Sequence, residues 1–249
     1  MSAGQKTRAE KRGVEVVHYS VGEGDYRDVS SYDERRYIGA ANLYKQTVMS
    51  NTYKRLLGPL ERKRILDVGC GTGRGMIDLA EHAKLAVGCD ASEDMLRTAR
   101  RKINGRPNCR LVRGYAQFLP FSDKSFDVIV SLNFLHLFSL ATQRAMVTEM
   151  KRVVKPGGHM VLEFDNALHG LCVGLYKRWF REERGVLPRE IRFILGDDCK
   201  VENVSGAVFP IVWRLLYRIP RVSIPLEKIS FYWPMSRLAH RIYYKIRKW

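Results

Sequence analysis

The sequence predicts an α/β fold: a mostly parallel sheet with helices on both faces and an antiparallel last hairpin. Three observations predict it. Short apolar runs recur at Ile65–Val68, Leu85–Asp90, Leu111–Phe121, Ser125–Ser131 and His159–Phe164, as buried strands do. The first run passes straight into the glycine-rich turn Gly69-Cys70-Gly71-Thr72-Gly73. The stretch Lys151–Gly158 ends a helix just before the last run, because proline and two glycines cannot continue it.

Each element has a chemical reading. Glycines at 69, 71 and 73 let backbone approach a ligand, and a helix is expected immediately afterwards. The spacing is G-x-G-x-G. The dinucleotide fingerprint G-x-G-x-x-G would need a third glycine at Arg74 or Met76, and no Gly-Lys-Ser/Thr comes after it for a phosphate-binding loop. Asp67 lies inside the strand, two residues before the first glycine. The second run ends in Asp90, where a carboxylate can accept both hydroxyls of a ribose. Ser92 is a candidate cap for the next helix, with Glu93 and Asp94 in its first turn.

Taken in order, Ile65–Gly75, Leu85–Asp90, Leu111–Phe121, Ser125–Ser131 and Lys151–Phe164 resemble the class I S-adenosylmethionine-dependent methyltransferases. The Leu119-Pro120-Phe121 loop and the Lys155-Pro156-Gly157-Gly158 turn are most similar to the subgroup that contains the quinone-biosynthesis C-methyltransferases. The resemblance implies a Rossmann-like, seven-stranded sheet and S-adenosylmethionine as cofactor. It implies that Gly69, Cys70, Gly71 and Gly73 back onto the methionine part, while Asp67 helps hold its amino-acid end. Asp90, Ala91 and Met95 belong on the ribose side, Tyr115, Ala116 and Gln117 beside the adenine, and Asn133 after the fourth strand. One departure is plain: the family's adenine loop commonly reads Gly-Asp-Ala-Glu, and here it is Gly114-Tyr115-Ala116-Gln117. Tyr115 puts an aromatic ring where an acceptor is expected.

The chain has 249 residues and suits one domain with appended elements. Residues 1–63 are expected to form an N-terminal helical lid and 64–249 the catalytic domain. Within that domain, 64–166 is the cofactor-binding core and 167–249 the acceptor-side insertion, late strands and basic aromatic tail. The five cysteines lack C-x-x-C spacing, so buried thiols are expected, with no metal site. No signal peptide or membrane span is legible, which predicts a cytoplasmic protein, with the cytoplasmic membrane face as its place of attachment.

The formal charge is +17, and residues 151–249 hold 19 basic against 9 acidic side chains. Val204–Trp249 mixes nine Lys/Arg with nine aromatic residues. That mixture fits an anionic membrane surface, and less well nucleic acid. It equally fits late strands whose aromatics are core. Met235, Leu238, Ile242, Ile246 and Trp249 recur at helical steps, yet Ile242–Ile246 also alternates as a strand.

Methyl transfer needs a nucleophile held in line, and a hydroxyl nucleophile also gains from a general base. Ligands gather at the carboxyl ends of strands in such sheets. His136 and Asp165 are therefore the catalytic candidates. Tyr19, Tyr26, Tyr32, Tyr37 and Tyr44 could line the site from the lid. The expected partner is a lipid, lipid-linked, quinone-like or other small acceptor. An RNA methyltransferase and a non-catalytic cofactor-binding scaffold are the alternatives.

Overall fold

The structure is a computed structural model describing residues 39–168, 185–208, 219–227 and 239–249. The lid tyrosines other than Tyr44, the charged stretch 177–184 and most of the aromatic tail lie outside these residues. Seven strands form one sheet in the order β3-β2-β1-β4-β5-β7-β6. They are β1 (Arg64–Val68), β2 (Leu85–Asp90), β3 (Cys109–Arg113), β4 (Phe126–Ser131), β5 (Val154–Asp165), β6 (Cys199–Ala207) and β7 (Arg241–Lys248). The first five are parallel, and β7 runs antiparallel to both β5 and β6. The expected fold class is present, antiparallel last hairpin included.

Helices cover both faces. On one side lie α1 (Ala40–Leu57), α2 (Arg74–Ala80) and α3 (Glu93–Ile103), over an apolar layer that includes Ile65, Val128, Val130, Val161 and Tyr243. On the other lie α4 (Leu140–Val153) and α5 (Pro188–Leu195), over Leu66, Ile129, Met160, Leu162 and Phe164. Neighbouring residues of one strand thus enter opposite layers, which is why the strands read as unbroken apolar runs. A shorter helix, α6 (Pro220–Glu227), packs against α1.

Local chemistry sets the element ends. The Ser92 hydroxyl accepts the Met95 N–H at the start of α3, and Ser139 caps α4 through Thr142. Helix α1 stops at Gly58, at φ 66°. Tyr44, Val48, Leu56 and Leu57 of this helix are buried, and it packs on β5, β6 and β7. The part of residues 1–63 that is described therefore belongs to the core layer.

Two expectations change. The helix before the fifth strand ends at Val153, and Pro156, Gly157 and Gly158 lie within β5 instead of closing that helix. Phe126 pairs with Val154 and Val128 with His159, so Lys155–Gly158 bulges out of the ladder. Residues 241–248, legible as helix or strand, are a strand. The sheet decides the matter, because β7 finds partners on both edges.

Arg152 of α4 ties the loop after β3 to this frame. Its guanidinium donates to the carbonyls of Leu119 and Phe121 and pairs with Glu149 and Asp123. Glu149 in turn accepts the Leu119 N–H at 3.0 Å. Replacing Arg152 by Met leaves these acceptors without their donor. Arg152→Met should cost about 1–3 kcal/mol in urea-induced unfolding and weaken cofactor binding through the loosened loop.

Candidate active site

The sheet order reverses between β1 and β4, and their carboxyl ends open the crevice where ligands bind in such folds. The glycine turn starts at the end of β1. Gly69 and Cys70 both donate to the Cys89 carbonyl of β2, and Gly71 donates to Asp90 Oδ2 at 2.9 Å. A side chain at Gly69 would meet the Phe134 ring at 2.2 Å, so the turn lies directly against the segment just after β4. At Gly73, φ is 76° and a Cβ would stand 2.9 Å from that of Ala99, so glycine lets α2 begin close to α3.

Cys70 does not face outward. Its sulfur packs over Gly88 of β2, and burial pushes its thiol well up from the ordinary value. Cys89, Cys109 and Cys199 are likewise free thiols, and Cys172 lies outside the described residues. Among the described residues no His/Cys/Asp/Glu group could hold a metal ion.

Asp67 and Asp90 define the electrostatics. Asp67 is 4 % exposed and has neither a hydrogen bond nor an ion pair among the described residues. Burial, and then the Asp90 carboxylate, push it up to about 7. Burial also raises Asp90, against the lowering effect of N–H groups from Ser92, Gly71 and Ala91. Asp90 Oδ2 takes the Gly71 N–H and Oδ1 takes the Ser92 N–H. The carboxylate keeps acceptor capacity for a diol.

The site fits S-adenosylmethionine on these grounds. The buried Asp67 and half-buried Asp90 carboxylates, neither with an ion pair among the described residues, would repel a phosphate and suit a ligand bearing ammonium and sulfonium charges. The other residues expected at the cofactor flank them. Met95 is buried at the start of α3 with its N–H on Ser92, and Ala91 accepts from Arg113. Gly114 donates to the Asp90 carbonyl, which draws the adenine loop alongside. There Tyr115 is half-buried, its carbonyl accepts the Phe118 N–H, and Ala116 and Gln117 are buried. Asn133 has φ 52° and donates its N–H to Glu163.

A second cluster occupies the carboxyl ends of β4 and β5. His136, in the 3-10 turn Leu135–Leu137, approaches Arg241 with its Nδ1 3.2 Å from Nη1. The same Nη1 pairs with Asp165 and stands 3.5 Å from Glu163. The β5–β7 register accounts for this, since Asp165 lies opposite Arg241 and Glu163 opposite Tyr243. The Tyr243 hydroxyl is pushed well up by burial and then by Glu163. The catalytic candidates His136 and Asp165 thus meet on one guanidinium. Sequence reasoning misses Arg241, because it sits among tail cations of ambiguous period. The alternation of Ile242, Tyr244 and Ile246 is the signal that could have found it.

The fold and this crevice define a cofactor-binding α/β protein with a cationic nucleoside as its ligand. Residues 65–158 match the family model described as a methyltransferase domain. Over 180 residues the chain is 30% identical to a demethylmenaquinone methyltransferase of Tropheryma whipplei, covering 71% of this chain and 70% of that protein. A demethylmenaquinone methyltransferase of Clavibacter sepedonicus is 38% identical over 108 residues, and there the match spans only 43% of either protein. A fatty-acid O-methyltransferase of Mycolicibacterium smegmatis is 38% identical over 104 residues, which cover 41% of this chain and 37% of that protein. In fold, the chain is similar to a crystal structure titled as a putative S-adenosylmethionine-dependent methyltransferase from Listeria monocytogenes. The TM-score is 0.62 at 18% identity, over 83% of this chain and 99% of that one. The chain belongs to the class I S-adenosylmethionine-dependent methyltransferases, of the quinone-biosynthesis type.

Asp67 has a folded pKa above that of an unfolded aspartate. Its stabilising contribution is therefore complete below about pH 4 and is lost as pH rises through about 7. Asp67→Asn should raise the Tm of the cofactor-free protein at pH 8 by roughly 4–8 °C, for about 2 kcal/mol of relieved burial, and change it little at pH 5. The ionised carboxylate is the form that attracts a cation. S-adenosylhomocysteine should therefore bind more tightly as pH rises from 6 to 8, and Asp67→Asn should weaken binding and flatten that dependence. Calorimetric titration at several pH values measures both.

Proposed function

We propose that this protein transfers the methyl group of S-adenosylmethionine to a small, lipid-soluble acceptor of the quinol, lipid or lipid-linked kind, beside an anionic membrane surface. One observation carries the acceptor class. The similarity to the Tropheryma demethylmenaquinone methyltransferase extends over 180 residues, more than the 65–158 stretch of the methyltransferase-domain match, so it is not confined to the cofactor-binding core. The chemistry of the crevice supports it. Phe134, Leu137 and Phe138 adjoin His136 in the chain, an apolar stretch beside the polar cluster of His136, Arg241 and Asp165, which suits a greasy ligand with an oxygen to orient.

The cofactor supplies an already activated methyl group. The chain's own residues must hold the two partners in line, a positioning effect of ~7–11 kcal/mol in favourable cases. Asp67 and Asp90 would fix the donor from β1 and β2. Asn133, with its backbone tied to Glu163, holds the turn between donor and acceptor sides in one conformation. The burial of Glu163, Asp165 and Arg241 together keeps water out of the carboxyl end of β5.

The membrane part rests on charge and exposed apolar surface. Ile219, Val222 and Leu226 around α6 are exposed beside Arg221. Of the tail cations near the sheet, Arg241 is buried in the site, Arg247 pairs with Glu202, and Lys248 donates to the Lys151 and Val154 carbonyls. Those cations serve the fold, so α6 is the better candidate for lipid contact.

Tritiated methyl transfer tests the reaction, with reduced demethylmenaquinone, a free fatty acid, a membrane lipid extract and total RNA as acceptors. Label should enter one of the lipid-soluble acceptors, and incorporation into RNA alone would refute the acceptor class. In vesicle co-sedimentation the full chain should partition to anionic phospholipid. The double variant Arg221→Glu, Val222→Asp should lower that partition severalfold, and equal partition would refute the α6 contact.

A further inference from the structure

We infer that the ring of Phe134 is the surface on which the sulfonium of the methyl donor rests, and that this contact separates S-adenosylmethionine from the spent S-adenosylhomocysteine. The inference rests on the cofactor class and is independent of the acceptor proposed above. Phe134 comes just after β4 and is half-buried. A Cβ built on Gly69 would strike its Cγ, Cδ2 and Cδ1 atoms, all three at similar short distances. A point that close to all three lies above the plane of the ring. Phe134 therefore turns a face, and not an edge, to the glycine turn. Gly69 covers the Cγ end of that face, and the Cε and Cζ end reaches past it.

The surroundings leave this face to the donor. Gly69 has no side chain to set against the ring, and the Cys70 sulfur is turned away onto Gly88 of β2. Both residues are fastened to the Cys89 carbonyl, which holds the turn in place. On its other contact, Phe134 meets Phe138 with the ring centroids 5.0 Å apart and 63° between the planes, which sets its tilt. The position follows from strand order. Asp90 ends β2 on one side of β1, and His136 comes after β4 on the other. A methyl group carried from the carboxylates to the acceptor must cross between them, and Phe134 stands at that crossing.

The face of an aromatic ring attracts a cation within about 6 Å of its centroid, and weakly hydrated alkylated cations suit it best. On transfer, the acceptor's electron pair makes the new bond to the methyl carbon. The methyl–sulfur bond breaks with its pair kept by sulfur, which becomes neutral. Phe134 then has no charge to attract, so the product is released more readily than the donor. Asp67 makes no such distinction through the ammonium group, which donor and product share. The attraction fades as the charge is lost, so Phe134 acts on which ligand is held and not on the speed of the chemical step. It is a specificity-determining residue of the donor site.

The test places 4-fluoro-, 3,5-difluoro- and 3,4,5-trifluorophenylalanine at position 134 of the full chain by stop-codon suppression. Fluorine drains negative charge from the ring face with little change of shape, so packing on Gly69 is kept. Calorimetric titration then measures binding of S-adenosylmethionine and of S-adenosylhomocysteine to each protein. Affinity for S-adenosylmethionine should fall stepwise, by roughly fivefold to thirtyfold at the trifluoro ring, while that for S-adenosylhomocysteine changes by less than about twofold. Phe134→Leu removes the face and should lower the ratio of the two affinities by a similar factor, and Phe134→Tyr should keep it. A ring that only packs against the turn would affect both ligands alike. A flat fluorine series, or equal losses for donor and product, would overturn the inference. The titrations need no acceptor, so failure of methyl transfer to lipids is read separately.

Discussion

A parallel sheet buried on both faces leaves polar side chains few places to meet a ligand. Ile65, Leu66, Val128, Ile129 and Met160 are fully enclosed between two helical layers. Chemistry is therefore driven to the carboxyl ends of the strands, where the backbone turns over and donors become free. The functional layout of this protein is a result of that confinement. Asp67 and Asp90 stand at the ends of β1 and β2, His136 comes after β4, and Glu163 and Asp165 end β5. The reversal of strand order between β1 and β4 separates a donor side from an acceptor side, and Phe134, packed against Gly69, is the point where the two touch.

The two sides differ in how they treat charge. On the donor side Asp67 is buried with no ion pair among the described residues, so the cost of ionising it is offset when a cationic ligand arrives. On the acceptor side the Arg241 guanidinium pairs with Asp165 and stands against Glu163, and removing it would leave buried carboxylates without that cation. The first arrangement is suited to binding and the second to holding a geometry. That contrast explains why the cofactor half is readable as a motif, whereas the acceptor half depends on a fold.

Much of this is legible in the residues themselves. The β2 boundaries at Leu85 and Asp90, the Ser92 cap and the acid–glycine spacing are local signals, with the cause and its effect a few residues apart. The Lys155–Gly158 stretch misleads because proline and glycine report where a helix cannot continue and are silent about the next element; here a bulge lets the strand begin early. Arg241 is hidden for a different reason. It lies 76 positions from Asp165 in sequence, and only the antiparallel register of β7 makes them opposite. The +17 charge is silent on a different point. It does not say which cations the fold itself uses: Arg241, Arg247 and Lys248 are individually occupied within it.

The placement of β7 between β5 and β6 has a consequence for assembly. Strands β1 to β5 can pair using contacts drawn from within residues 64–165, but β6 has no neighbour in the sheet until β7 inserts beside it. Joining β5 to β7 closes a long loop before it yields contacts, a slow step by the usual relation between topology and rate. During synthesis the cofactor crevice can therefore form while Glu163 and Asp165 still face water. Arg241 reaches Glu163 and Asp165 only when β7 is in place, so a chain cut short before residue 241 would lack the cation that these two buried carboxylates share.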